Sequence, residues 1–245
     1  MNGDVYLSVI IPAYNEGERI LKTIEAISEY LGHRGFSSEI IVSSGGSTDN
    51  TAAVVRHKML NTPGLRLVED SRRGKGLGVK MGMLEAKGRI RLFTDADNST
   101  DISHFDKMRP FFDQGYEVVI CSRDSKDAPG ARQAVPQAWH KRLMGNAGNL
   151  FIQLVAVRGF WDTQCGFKAF RDTASEKIFA QQRITGWGFD IEALALAKAL
   201  GYRVGIIPAY WINDPKSHVR LSAYFQVLWE TVKVRFNLWF KKYQL

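Results

Sequence analysis

Apolar runs of five or six residues recur through the first half of the chain: 7-LSVIIP-12, 39-EIIVS-43, 65-LRLVE-69, 90-IRLFT-94 and 117-EVVICS-122. Between them lie segments of helical spacing at 17–31, 48–60, 75–87 and 102–113. Short β-rich runs alternating with helices predict an α/β fold, with a mostly parallel sheet covered on both faces. The second half is more mixed. Residues 138–157 read as a helix, 162-DTQCGFKAF-170 as an irregular strand, 188–200 as a helix and 203-RVGIIPAYW-211 as a strand. No repeat, low-complexity tract or linker interrupts the pattern. The expectation is one domain over 1–218 and a C-terminal amphipathic helix over 219–245.

In a sheet of this kind, ligands sit beyond the carboxyl ends of the strands. Three polar clusters fall there: 13-AYNEGE-18, 43-SSGGSTDN-50 and 95-DADNST-100. In the last, Asp95 and Asp97 are two residues apart, so an extended chain points both carboxylates the same way. Like charges that close repel unless water screens them or a cation joins them. Mg²⁺ and Mn²⁺ suit such a pair, because they take oxygen ligands and often bridge to phosphates. The small residues of 43–51 predict a tight βα turn, with Ser47 or Thr48 capping the next helix. A free helix N-terminus there would attract phosphate. The stretch 71-SRRGKGLG-78 lacks the spacing of a P-loop. It places Arg73 and Lys75 either against an anion or in solvent, and both readings stay open.

Composition narrows the partners. The chain has 245 residues, of which 33 are basic and 25 acidic, for a formal net charge of +8. That balance favours an anionic partner. Nucleic acid is the weakest choice, since the charge is scattered and no binding motif appears. Cys121 and Cys165 are the only cysteines, so a reducing compartment is expected. The chain opens on polar MNGD, so no signal peptide is expected. No window approaches the ~20 apolar residues of a spanning helix.

Taken jointly, 9-VIIPAYNEGERI-20, 46-GSTDNT-51, 74-GKGLGVKMGM-83, 94-TDAD-97, 162-DTQCGFKAFR-171 and 187-WGFDIE-192 resemble the family 2 glycosyltransferases. The likeness spans nearly the whole chain. The second-half blocks look like the subgroup that makes polyprenyl-phosphate sugars, the dolichyl-phosphate glucose and mannose synthases, and lean towards glucose. The resemblance implies a GT-A fold, Rossmann-like, and an inverting transfer of a hexose from UDP-glucose or GDP-mannose to polyprenyl or dolichyl phosphate. It implies that Pro12, Tyr14, Glu16 and Ser44 line the nucleotide pocket, with Lys75 near the phosphates. Asp95 and Asp97, flanking Ala96, would hold Mg²⁺ or Mn²⁺ and the diphosphate. Asn98 would meet the donor sugar, while Gln164, Lys168, Trp187 and Asp190 shape the sugar side of the cleft. Arg123 would grip the acceptor phosphate with help from Lys141 and Arg142. The loop Lys216, Ser217 and His218 would close over the diphosphate.

Two departures stand out. The family usually has aspartate where this chain has Ser44, and lysine where it has His218. The first puts the donor base in question; the second leaves open whether His218 touches the metal. A hydroxyl acceptor would need a base to take its proton, and Asp190 is then the candidate. A lipid monophosphate arrives largely ionised, its second pKa being about 6 by analogy with phosphorylated side chains. The alternatives are therefore a family 2 enzyme with a glycan hydroxyl acceptor, dependent on Asp190 and indifferent to Arg123, and a degenerate relative without catalysis.

The tail mixes Tyr224, Phe225, Trp229, Phe236, Trp239, Phe240 and Tyr243 with Arg220, Lys233, Arg235, Lys241 and Lys242. Basic residues among Trp and Phe mark a helix lying in a membrane interface. The expected location is cytoplasmic, peripheral on the cytoplasmic face of a membrane, with a homo-oligomer or a membrane partner left open.

Overall fold

The computed structural model describes residues 4–134, 139–212 and 221–245, without the side chains of 139–144 and 221. Lys216, Ser217, His218 and Arg220 lie outside the described residues, as do the side chains of Lys141 and Arg142.

A seven-stranded sheet runs in the order β3-β2-β1-β4-β7-β5-β8. Its strands are β1 (Leu7–Ala13), β2 (Ser38–Gly45), β3 (Leu65–Asp70), β4 (Ile90–Thr94), β5 (Val118–Ser122), β7 (Phe167–Arg171) and β8 (Val204–Pro208). Strand β7 is antiparallel to both β4 and β5, and the other pairings are parallel. The mostly parallel sheet expected from the hydrophobic pattern is therefore present. The helices are α1 (Ile20–Gly32), α2 (Thr51–Met59), α3 (Lys75–Glu85), α4 (His104–Asp113), α5 (Trp139–Val155), α6 (Asp172–Gln181), α7 (Phe189–Ala199) and α8 (Leu221–Trp239).

The period of two along each strand sorts the core into two halves. Val9, Ile11, Val42, Leu92 and Phe167 face α1 and α4 in one cluster. Ile10, Ile41, Phe93, Ile120 and Phe170 face α3, α6 and α7 in the other. Burial on both sides explains why the strands read as unbroken apolar runs.

The pattern between 203 and 211 divides. The chain leaves the main sheet at Pro208, and β9 (Tyr210–Trp211) pairs with β6 (Arg132–Gln133) in a separate ribbon. Thr100 bridges to Trp211, and Ser99 accepts a hydrogen bond from the Ile212 amide at 2.9 Å. The ribbon therefore borders the loop that follows β4. Helix α6 was not anticipated from the sequence.

Helix α8 packs one face on α5 and α7. Ala223, Val227, Glu230, Thr231 and Val234 are buried there. Its other face leaves Phe225, Trp229, Phe236 and Trp239 exposed. Tyr243 does not join that exposed face. It is buried, and its hydroxyl donates to Glu192 Oε1 at 2.6 Å. Among the described residues no helix is long and apolar enough to cross a membrane.

Candidate active site

The loops after β1 and β2 are stitched together at the carboxyl ends of their strands. The Asn15 amide donates to Ser47 Oγ at 3.2 Å, the Thr48 amide to Asn15 Oδ1 at 2.8 Å, and the Glu16 amide to Thr51 Oγ1 at 2.8 Å. Asn15 has φ 54°, a left-handed backbone that asparagine tolerates better than most side chains. Ser47 and Thr48 are thus spent on the neighbouring loop and do not cap α2. That helix begins at Thr51, whose amide donates to Asp49 Oδ1 at 3.0 Å.

Pro12 and Ser44 lie in this floor and are nearly covered. The Ser44 hydroxyl donates to Ser47 Oγ at 2.9 Å. Tyr14 is partly exposed, and the Arg73 guanidinium stacks on its ring at 3.9 Å from the centroid. A cation–aromatic contact therefore stands beside the loop that carries Ser44. Glu16 is engaged by Arg19.

The loop after β4 holds the acidic pair. The Asp95 amide donates to the Gly166 carbonyl at 3.2 Å, and Asp97 Oδ1 accepts the Ser99 amide at 3.0 Å. A Cβ on Gly166 would fall 2.0 Å from Asp95 Oδ2, so only glycine lets this carboxylate sit against the 162–167 segment. Asn98, at φ 54°, turns the chain behind the pair. Ala96 is buried, with its carbonyl taken by the Thr23 hydroxyl at 2.6 Å.

Lys75, at the start of α3, reaches Asp95 Oδ1 at 2.7 Å, with both side chains partly open to solvent. Its ammonium lies 5.2 Å from the Trp187 ring centroid. Burial acts to lower the Lys75 pKa, but the carboxylates of Asp95, Asp190 and Asp97 outweigh it and hold the group above its ordinary value. Asp190 completes this corner from α7. Burial raises its pKa against the pull of Lys168 and Lys75.

Lys168 corrects an expectation. It is fully buried, with Nζ 2.5 Å from Asp190 Oδ1 and 2.6 Å from the Cys165 carbonyl. It has no surface with which to touch a sugar and reaches the cleft only through Asp190. Gln164 is partly exposed, its amide donating to Asp162 Oδ1 at 3.2 Å.

Arg123 follows β5 and is clamped by Asp162. Its Nε donates to Oδ2 and its Nη2 to Oδ1, both at 2.8 Å, and its amide adds a third bond at 2.8 Å. Burial opposes ionisation of Asp162, yet the guanidinium holds its pKa down to about 2. The Arg123 guanidinium also lies 5.3 Å from the Trp211 ring centroid. Asp162 and Trp211 were not singled out from the sequence. The aspartate that opens the 162-DTQCGFKAFR-171 block was the available signal.

Among the described residues no cluster of three acidic, histidine or cysteine side chains is set to hold a metal unaided. Two carboxylates suffice for a hard cation that completes its shell with substrate phosphates and water. The donor set of Asp95 and Asp97 therefore fits Mg²⁺ or Mn²⁺ shared with a diphosphate.

A mostly parallel sheet with acidic and basic loops at its carboxyl edge places a charged cleft where α/β folds bind their ligands. The chain matches glycosyl transferase family 2 over residues 8–179 and belongs to that family; it is a glycosyltransferase. It is 31% identical to a dolichyl-phosphate beta-glucosyltransferase of Trichomonas vaginalis, across 96% of this chain and 74% of the relative. It is 34% identical to one of Drosophila melanogaster, across 84% and 66%, and 32% identical to one of Saccharomyces cerevisiae, across 89% and 70%. Among solved structures, glucosyl-3-phosphoglycerate synthase from Mycobacterium tuberculosis, with Mn²⁺, uridine diphosphate and phosphoglyceric acid, superposes with a TM-score of 0.67. It shares 20% identity over 94% of this chain and 77% of that one. Mannosyl-3-phosphoglycerate synthase from Rubrobacter xylanophilus gives 0.70 at 19% identity, over 98% and 77%. The fold is GT-A.

Proposed function

We propose that this enzyme transfers glucose from UDP-glucose to a dolichyl or other polyprenyl phosphate, with inversion at the anomeric carbon. The relatives named above support the sugar and the lipid acceptor. One observation of geometry carries the choice of a phosphate over a hydroxyl acceptor: Asp190 is buried and already paired with Lys168. A hydroxyl acceptor needs an available base. A phosphate monoester is ionised at neutral pH and needs only to be held in line.

In this reading an anionic oxygen of the lipid phosphate attacks the anomeric carbon. The bond from that carbon to the donor's β-phosphate oxygen breaks, and UDP leaves with the electron pair. Asp95 and Asp97 would hold Mg²⁺ or Mn²⁺, which when bound neutralises the departing diphosphate. Lys75 exchanges its contact with Asp95 for the diphosphate oxygens. Tyr14 and Arg73 receive the base, with Pro12, Glu16, Ser44 and Ala96 forming the floor around the nucleotide. Asn98, Gln164 and Trp187 flank the sugar, and Asp190 sets the electrostatics beside it. Arg123 presents the guanidinium edge that Asp162 leaves free to the acceptor phosphate, in a geometry suited to such an anion. Because Asp162 offsets much of its charge, Lys141 and Arg142 share the task. Lys216, Ser217 and His218 complete the diphosphate side.

The exposed face of α8 supports a position at the membrane that would hold this acceptor. Phe225, Trp229, Phe236, Trp239 and Phe240 face outward beside Lys233, Arg235, Lys241 and Lys242. An anionic bilayer suits that surface, and we assign it to the cytoplasmic leaflet. The test is transfer of label from UDP-glucose, GDP-mannose and other donors into the organic phase, with polyprenyl phosphate and Mn²⁺ or Mg²⁺. Labelled lipid from UDP-glucose alone is the expected result. Label from GDP-mannose instead would overturn the donor assignment.

A further inference from the structure

The loop between α6 and α7 carries Trp187, and two buried carboxylates hold its backbone. Glu192 of α7 accepts the amides of Arg183 at 3.0 Å and Ile184 at 2.8 Å. Glu230 of α8 accepts the Gly188 amide on Oε2 at 2.7 Å and the Gln226 side-chain amide on Oε1 at 2.9 Å. The approach is close: a Cβ on Gly186 would fall 2.2 Å from both Gln226 Nε2 and Glu230 Oε1.

The other side of the same loop braces α3. The Gly186 carbonyl accepts the Gly76 amide and the Thr185 carbonyl the Leu77 amide, each at 3.2 Å. Those are first-turn amides of a helix that no side chain caps. Their immediate neighbour is Lys75, which holds Asp95 at 2.7 Å and lies beneath Trp187. A continuous set of contacts therefore runs from α8 through Glu230 to the loop, to α3 and to the acidic pair.

Burying a carboxylate in a helix face is costly unless its oxygens are satisfied. Both oxygens of Glu230 are used on amides and neither meets a lysine or arginine among the described residues. A leucine would cover the core equally well but would leave the Gly188 amide without its acceptor. The carboxylate thus serves the loop rather than the packing.

We infer that Glu230 is a positioning residue for the donor site. It seats the 184–188 loop so that Trp187 and Lys75 stand where the diphosphate arrives. This inference rests on the assignment of Lys75, Asp95 and Asp97 to the diphosphate end of the cleft.

The test compares Glu230→Ala, Glu230→Gln and Gln226→Ala in the full chain, with Asp97→Ala as a control on that assignment. Affinity for UDP with Mn²⁺ is measured by calorimetry, alongside donor KM, acceptor KM and Tm. Glu230→Ala is expected to weaken UDP about tenfold, the scale of one lost hydrogen bond to a charged group, with acceptor KM unchanged. Glu230→Gln restores most of the affinity, since a carboxamide oxygen still accepts from Gly188 and Gln226 can turn its own amide. Gln226→Ala, at an exposed position, gives a smaller loss in the same direction and decides the matter if Glu230→Ala does not fold. Wild-type UDP affinity in Glu230→Ala, or in Gln226→Ala in that event, overturns the inference. So does equal damage from Glu230→Gln, or a joint rise of donor and acceptor KM that follows Tm. If Asp97→Ala binds UDP with Mn²⁺ as well as wild type, the donor-site assignment itself fails and takes the inference with it.

Discussion

Two lysine–aspartate pairs stand at the same edge of the sheet, and they differ in access to water. Lys168 and Asp190 are sealed, at 0% and 4% side-chain exposure; Lys75 and Asp95 keep 21% and 30%. The sealed pair cannot change partners without leaving a charge stranded in the core. The open pair can give up its contact to an incoming anion and cation. The same chemistry therefore serves as a fixed internal brace in one place and as an exchangeable contact in the other.

The largest effect that separates the pairs is on stability. Removing one partner of a buried pair costs about 3–5 kcal/mol. Lys168→Met should lose that much in urea unfolding, whereas Lys75→Met, whose pair keeps access to water, should lose less. Equal losses in the two variants would erase the distinction. Activity should reverse the order. Lys75→Met is expected to reduce kcat/KM for the donor by about 10–100-fold, the value of charged hydrogen bonds.

The Arg123–Asp162 clamp extends the comparison to pH. Asp162 titrates near 2 when folded, against 3.8 ordinarily. A depressed carboxyl stabilises the fold fully above its unfolded pKa. That stabilisation is lost as pH falls from about 4 towards 2, and amounts to roughly 2 kcal/mol. Urea midpoints at pH 5 and pH 2.5 should show a smaller drop for Asp162→Asn than for wild type. An identical drop would mean that the clamp contributes nothing to acid stability. The smallest effect belongs to the exposed surface of α8 and the turn that follows it. Each basic residue near an anionic bilayer adds about 1 kcal/mol, so Lys241→Gln should weaken binding to phosphatidylserine vesicles about fivefold without altering Tm. Unchanged binding would remove Lys241 from the membrane face.

The elements of the first half were legible because the strands other than the edge strand β3 are buried on both faces and each loop begins with turn chemistry. The acidic pair was legible as spacing alone. What stayed hidden depends on contacts between distant segments. Nothing local distinguishes Lys168 in 166-GFKAF-170 from a cleft lysine; its burial follows from β7 lying between β4 and β5. Ser47 looked like a cap because its partner, Asn15, is 32 residues away. Glu230 is the lone acidic residue of the basic stretch 219–245, but its partner amide belongs to a different loop. Tyr243 fitted the aromatic pattern of the tail while being claimed by Glu192.

The central claim is that the acceptor is a lipid phosphate that brings its own negative charge. The most direct measurement offers labelled UDP-glucose, with Mn²⁺, to polyprenyl phosphate and to the matching free polyprenol in parallel. Label extracted with the phosphate and absent with the alcohol is the expected result. Label on the alcohol would contradict the account and return Asp190 to the role of general base.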